Sequence, residues 1–405
     1  MLERPLLARQ PILDRELQVF AYELLCRPIP SDNIEWQAQN GNSATTEVVI
    51  SALHEVGMSL VTGGRPAFVN FTVDFLNIDP PMGPDDLVIE LLEHIPANPD
   101  TQAAVVRLKQ QGYRIAVDDF TGDPAQAAWL DYADIVKVDL IGLKSVDDAE
   151  KLHHKYQRDG LIWLAEKVET HEQYLKCKEF GYDLFQGYFF SRPTTLFGKR
   201  TPDSHIAVME LLSALNSPDA GFDEVVTAVR KDPQLSYRLM QMANSSAVNR
   251  GQPVTTVQRA ATLLGLSRIR HWANMLALGK LSDKPVILQQ QALFRGALLQ
   301  EIANLSPDLD GDTGFTLGLF SLLDAMMDMP LEEVCARIHL PDELTQALIQ
   351  GHGIYGAHLT AIKLWEQGEA SSIDWPNIAV SPSDLELCIE RAINSTQNTS
   401  GVLGS

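Results

Sequence analysis

Two rhythms of apolar positions divide this chain. Up to about residue 193, short apolar runs rich in β-branched and aromatic residues alternate with helix-like stretches. The runs are Val19–Leu25, Ala67–Thr72, Leu87–Glu93, Tyr113–Phe120, Asp134–Asp139, Leu161–Val168 and Leu184–Phe190. Between them, Thr46–Gly57, Asp100–Gln110, Ala125–Asp131, Asp147–Gln157 and His171–Phe180 read as helices. Such alternation predicts a parallel sheet covered by helices. Six or seven units in under 200 residues suit a TIM-like β/α barrel better than an open nucleotide-binding sheet. No Gly-x-Gly-x-x-Gly follows any of the strands.

The polar stretch Thr194–Ser204, broken by Gly198 and Pro202, reads as a linker. Beyond it the helical period takes over. Phe222, Val225, Val226 and Val229 fall at i, i+3, i+4 and i+7. Leu235, Leu239, Met242 and Ala243, then Ile269, Trp272, Ala273 and Leu276, repeat the face. Further helices are expected at Leu288–Leu305, Thr316–Met329, Leu331–Ile338, Asp342–Gln350 and Ala357–Gly368. The expected organisation is thus α/β followed by all-α: a barrel over 1–195, a linker over 196–204, a helical domain over 205–395 and a flexible polar tail over 396–405.

Composition adds limits. The 405 residues carry a formal net charge of −21. The first 200 residues hold 30 acids and 19 bases, the remainder 23 and 13, so the excess is even and locates no site. It argues against general attraction to nucleic acid or an anionic membrane. No apolar run reaches the roughly 18 residues of a membrane span. Glu3 and Arg4 with no apolar stretch after them argue against a signal peptide. Cys26, Cys177, Cys335 and Cys388 are scattered without a Cys-x-x-Cys, which excludes a zinc ribbon and a disulfide scaffold. A reduced, cytoplasmic protein is expected.

The chemistry lies where the apolar runs are interrupted. Successive runs carry Glu23, Asn70, Glu90 with Glu93, Asp118-Asp119, Lys137, Glu166 and Gln186 at or near their ends. One acid at a strand end is usually a helix cap or a solvated turn, and a lone lysine is usually on the surface. Seven consecutive strands repeating the feature are another matter, because in a β/α barrel the C-terminal strand ends meet at one rim. Carboxylates gathered there repel unless metal ions neutralise them. An all-oxygen donor set favours Mg²⁺, Mn²⁺ or Ca²⁺ over zinc. Two such ions with a nearby lysine suit phosphodiester hydrolysis.

These residues resemble the EAL domain, the cyclic-di-GMP phosphodiesterase family. Gln10-Pro11-Ile12, Glu23-Leu24-Leu25 followed by Arg27, Val69-Asn70, Glu90-Leu91-Leu92-Glu93, Asp118-Asp119-Phe120, Lys137-Val138-Asp139, Ala165–Glu169 and Gln186-Gly187-Tyr188-Phe189 stand at eight ordered motifs over residues 9–193. The resemblance implies that Glu23, Asn70, Glu90 and Asp118 ligate one Mg²⁺ or Mn²⁺, and that Asp118 and Asp119 take part in holding a second. It implies that Lys137 and Glu166 position and activate water. Leu25, Arg27 and Gln186 would contact the bound cyclic-di-GMP or its metal shell, and Glu93 would support the loop after Asp119 and a homodimer contact. The implied reaction opens cyclic-di-GMP to pGpG. Three places depart from the pattern: Leu92 replaces a threonine, Thr121–Pro124 replaces a Gly-Thr-Gly stretch, and Lys167 replaces a glycine.

The second half resembles an HDOD domain, through Asp232–Ser236, Asn244-Ser245, Ala260–Leu266 and Arg268–Leu278. EAL followed by HDOD is a known architecture, and Lys167 beside Glu166 is typical of it. No His-Asp dipeptide occurs in the sequence, and His205, His271, His339, His352 and His358 show no paired metal spacing. The helical half is therefore expected to bind a protein partner or transmit a signal, with Trp272, Trp365 and Trp375 as core anchors. Two functions stand open: a metal-dependent phosphodiesterase, and a receptor or scaffold that binds cyclic-di-GMP without cutting it.

Overall fold

The computed structural model describes residues 6–27, 61–191, 203–244, 254–281, 284–378 and 380–403. The expected helix Thr46–Gly57 and the stretch 196–202 lie outside the described residues. The chain divides into two compact units, one of Met1–Arg192 with Lys363–Ile373, the other of Pro193–Ile362 with Asp374–Ser405.

The first unit is a closed eight-stranded barrel in sequential order. Its strands are β1 (Leu6–Leu13), β2 (Val19–Arg27), β3 (Ala67–Phe71), β4 (Leu87–Leu91), β5 (Arg114–Val117), β6 (Ile135–Asp139), β7 (Ile162–Glu166) and β8 (Leu184–Gln186). All seven apolar runs became strands. The eighth, β1, is an addition: it pairs antiparallel to both β2 and β8, while every other pair is parallel. Pro11 inside Leu6–Leu13 obscures it, because proline reads as a break in a sheet.

Among the described residues, short helices lie between the strands at α1 (Val73–Leu76), α2 (Pro99–Gln110), α3 (Pro124–Ala127), α4 (Val146–Tyr156) and α5 (His171–Phe180). Their starts are chemically marked. Asn98 accepts from the backbone N–H groups of Asp100 and Thr101, Thr101 closes a capping box, and Pro99 fills the first turn of α2. Thr170 and Gln173 form the same reciprocal cap on α5.

Among the described residues the elements of the second unit, and of the segment Lys363–Ile373 grouped with the first, are all helical: α6 (Asp203–Asn216), α7 (Phe222–Arg230), α8 (Pro233–Ala243), α9 (Val257–Leu264), α10 (Leu266–Leu278), α11 (Val286–Ala303), α12 (Gly311–Phe320), α13 (Leu323–Met327), α14 (Leu331–Ile338), α15 (Asp342–Gln350), α16 (Gly353–Glu366) and α17 (Pro382–Leu403), with short 3₁₀ turns at Ala370–Ser372 and Trp375–Asn377. The periodic faces are its core: Val225, Val226, Val229, Leu235, Leu239, Ala243, Ile269, Ala273 and Leu276 form one buried cluster, with Phe222 and Trp272 packed against it. Trp365, in the segment Lys363–Ile373, is also buried.

Two expectations change here. The helix over Thr316–Met329 is broken: α12 ends at Phe320, where the Ser321 hydroxyl donates back to the Gly318 carbonyl at 2.7 Å and accepts from buried Arg295 at 3.1 Å. That local bond competes with the helical ladder. The tail from residue 396 is helical as far as Leu403, continuing α17. Gly318 lets α12 press onto α11, since a Cβ there would lie 2.4 Å from the Arg295 carbonyl oxygen.

Candidate active site

The site follows from alternation along strands. One apolar layer fills the barrel: Ile12, Ala21, Phe68, Val88, Ala116, Ile135, Leu164 and Leu184. Side chains repeat on one face every second residue. Two residues further along the parallel strands come Glu23, Asn70, Glu90, Asp118, Lys137, Glu166 and Gln186. On antiparallel β1 the same step runs backwards, from Ile12 to Gln10. Eight polar side chains thus stack as a second layer on an apolar floor. Register agrees, with Asn70 opposite Glu90 and Gln10 opposite Glu23.

Lys137 is the hub. Its Nζ lies 2.5 Å from Glu90 Oε1, 2.8 Å from Asp118 Oδ1, 2.8 Å from Glu166 Oε1 and 3.3 Å from Glu23 Oε1. The Lys137 side chain is 1% exposed and that of Glu90 0%. Gln186 Nε2 donates to Glu23 Oε2 at 2.5 Å and to Gln10 Oε1 at 2.9 Å. The side-chain amides thereby orient Glu23 from the side away from Lys137.

Four carboxylates against one ammonium overload a dry site with negative charge. Burial pushes the Glu90 carboxyl well above the usual range, Lys137 pulls it back, and Glu23, Asp118 and Glu166 push it up again. Glu166 is pushed up to about 8, first by burial, against Lys137, and then by Asp118 and Glu23. Burial alone would lower Lys137, but Asp118, Glu166, Glu23 and Glu90 together hold it well above its ordinary value. Glu90 Oε2 is buried with no hydrogen-bond partner. An all-oxygen donor set with an orphaned carboxylate oxygen and surplus negative charge fits a hard divalent cation.

A pH dependence follows. In the unfolded chain Glu166 titrates near 4.5, whereas in the fold it holds its proton to about 8. Between those values the native state binds more protons than the unfolded state, so stability falls as pH rises. Metal-free protein is expected to melt at progressively lower temperature from pH 5 to pH 8. Saturating Mn²⁺ should flatten the trend; a flat metal-free profile in calorimetry would contradict the buried-proton reading.

Above this layer lies the rim. Asp119 follows Asp118 in a left-handed backbone conformation, φ 44°, which non-glycine residues rarely adopt. Ligand atoms of exposed Glu93 and half-buried Asp118 and Asp119 lie within 4.8 Å of one another, a spacing that can hold a metal ion. Burial and the Asp118 charge raise the Asp119 carboxyl, against Lys167. Lys167 also has positive φ, 52°, and its Nζ bonds Asp139 Oδ2 at 2.5 Å. That conformation explains why a glycine suits this position. The loop after Asp119 is fastened by Gln126, whose amide bonds both Asp119 and Thr121.

A family model described as the EAL domain matches residues 58–193, and one described as the HDOD domain matches residues 202–323. The chain is 34% identical over 374 residues to the uncharacterized protein YuxH of Bacillus subtilis, covering 90% of this chain and 91% of that protein. The chain belongs to the EAL–HDOD family. A further relative is the cyclic di-GMP phosphodiesterase CdgJ of Vibrio cholerae, 27% identical over 91% of this chain and 86% of that one. Among solved structures, an EAL domain protein from Listeria monocytogenes matches 47% of this chain and 88% of its own, at 22% identity and a TM-score of 0.38.

The EAL–HDOD barrel brings Glu23, Glu90, Asp118, Lys137 and Glu166 into direct contact, with Gln186 beside them. Asn70 stands at the next strand position to Glu90, and Glu93 joins Asp118 and Asp119. Leu25, two residues past Glu23, is partly exposed on the same face. The Arg27 side chain lies outside the described residues. Two residues join the site beyond those expected of it: Gln10, known from the sequence only through its motif, and Gln126. Gln10 could have been found by running the two-residue step backwards along β1; Gln126 carries no periodic signal. In the helical unit of the EAL–HDOD chain His205 and His358 are buried, and His271 Nδ1 lies 3.5 Å from Asp312. Among the described residues no group of three metal-binding side chains gathers there.

Proposed function

We propose that the barrel hydrolyses cyclic-di-GMP to pGpG in a divalent-metal-dependent reaction, and that the helical unit binds a protein partner or passes a signal. The observation that carries the proposal is the buried contact of Lys137 with Glu23, Glu90, Asp118 and Glu166. Family membership and the phosphodiesterase name of CdgJ support the substrate. Glu23, Asn70, Glu90 and Asp118 would hold one Mg²⁺ or Mn²⁺, and Asp118 and Asp119, with Glu93 in reach, a second. Such a pair supplies Lewis acidity at the phosphate and lowers the cost of deprotonating water.

The chain's own residues perform the rest. Glu166, at the end of β7 and 2.8 Å from Lys137, would take a proton from the attacking water once bound cations weaken its own hold on a proton. Water oxygen bonds to phosphorus as the ester bond to a ribose 3′ oxygen breaks; that oxygen takes a proton from solvent water and leaves as a 3′ hydroxyl, and a 5′ phosphate remains on a linear dinucleotide. Lys137, fixed by four carboxylates, offsets charge on the phosphate and keeps Glu166 aimed. The apolar floor beneath excludes water and strengthens each of these interactions. Leu25, Arg27 and Gln186 complete the dinucleotide site. We place the protein in the cytoplasm, with barrel pairing through the loop after Asp119.

A receptor that binds without cutting is the second reading, favoured by Leu92 and by the altered loop Thr121–Pro124. One assay separates them. Full-length protein with Mn²⁺ or Mg²⁺ is expected to convert cyclic-di-GMP to pGpG, to stop when EDTA is added and to resume when metal is restored. Glu23→Gln should abolish product. Binding of cyclic-di-GMP with no pGpG under any metal would replace the enzyme with the receptor.

A further inference from the structure

We propose that Gln126 is a positioning residue that fixes the Asp119 side of the metal site. The proposal rests on the two-metal reading above. Gln126 sits in α3, is 8% exposed, and points back into the loop that precedes it. Its Nε2 donates to the Asp119 carbonyl oxygen at 2.9 Å. Its Oε1 accepts from the Thr121 N–H at 2.9 Å and from the Thr121 hydroxyl at 3.0 Å. One amide therefore clamps the chain on both sides of Phe120. Phe120 itself is anchored, its ring buried and its N–H donating to the Lys137 carbonyl at 2.8 Å.

The clamp matters because Asp119 is held at φ 44°. Without restraint the backbone relaxes toward negative φ, the broadly allowed side of the map. That rotation turns the Asp119 carboxylate away from Asp118 and Glu93. The Lys137 cluster, built on strands, stays where it is. Loss of the amide should therefore separate the two cation positions, weakening the rim position and sparing the buried one. The departure from the Gly-Thr-Gly loop pattern then has a compensation: the loop is fastened from α3 by a glutamine side chain.

The test is a Mn²⁺ titration of the full chain without nucleotide, with free Mn²⁺ followed by electron paramagnetic resonance. Wild type is expected to bind two ions of unequal affinity. Gln126→Ala should leave the tighter class unchanged and weaken the looser class about tenfold or more, the range for loss of a supporting hydrogen bond behind a metal ligand. The Mn²⁺ needed for half-maximal hydrolysis should rise by the same factor, with kcat recovered at saturating Mn²⁺. Gln126→Met, matched in volume, serves if the alanine variant does not fold. Two unchanged classes in the folded variant, or fewer than two ions on wild type, overturn the proposal. Wild type that binds two ions but releases no pGpG removes the hydrolase reading while the effect of Gln126 on the looser class still stands.

Discussion

Replacing Lys137 with methionine is expected to cost both activity and stability, in proportions set by metal. Methionine matches the aliphatic length of lysine and removes only the ammonium. Four carboxyl groups then face one another in a site where Glu90 is fully buried. Removing one partner of a buried ion cluster costs about 3–5 kcal/mol. The carboxyls relieve part of it by holding protons, which burial already favours at Glu90 and Glu166. The loss should therefore be smallest near pH 5 and largest near pH 8. Mn²⁺ should restore much of the melting temperature, because it binds only the folded cluster. Activity should not recover. Losing a preorganised charge at the phosphate costs roughly 10²–10³-fold in kcat. Calorimetry at two pH values, with and without Mn²⁺, and initial rates at saturating metal check both halves. A variant equally stable at pH 5 and pH 8 without metal would contradict this account.

Gly187→Ala should be comparably severe, by a route that involves no charge. Gly187 has φ 142°, and an added Cβ would lie 2.2 Å from the Val168 carbonyl oxygen and 2.5 Å from its nitrogen. Both obstacles are backbone, so no rotamer change relieves them. The two segments are sewn together by Val168 N–H to Gln186 O at 2.9 Å and Phe189 N–H to Val168 O at 3.1 Å. Alanine must break that stitch or strain it, at about 3 kcal/mol or more when a disallowed backbone angle and a backbone clash combine. Glu166 stands two residues before Val168, and Gln186 immediately before Gly187. Their displacement should lower kcat about 10²-fold, the order expected for a misplacement near 1 Å. The melting temperature and the pGpG rate are the readouts. Near-wild-type values for both would show that the β7–β8 rim tolerates a side chain.

The two predictions also show why the site was largely legible. Glu23, Asn70, Glu90, Asp118, Lys137, Glu166 and Gln186 each interrupt an apolar run, and a two-residue period carries them onto one face. That signal is local, so the sequence alone exposes it. What depended on distant pairing was hidden. Strand β1 contains Pro11 and runs against its neighbours, so neither composition nor alternation marks it, and Gln10 shows only as part of the Gln10-Pro11-Ile12 motif. Gln126 lies in a helix of four residues, too short for any period, and its importance comes from where the chain folds back. Ser321 looked like one more helical residue until Arg295 arrived from another helix to hold its hydroxyl. The rim was harder than the floor for the same reason: strands impose a period, loops do not.

The antiparallel first strand sets an order of events during synthesis. Gln10 and Gln186 meet across 176 positions of sequence, and β1 gains its second neighbour only when β8 exists. Until β8 is made, β1 and β7 each lack one of their two neighbours. Contacts that close such long loops form slowly and leave edges exposed meanwhile. Three of the carboxylates, Glu23, Glu90 and Asp118, emerge before Lys137, and the fourth, Glu166, after it. Nascent chains stalled short of residue 186 should thus lack a closed barrel, and with it the Gln186 bond to Glu23.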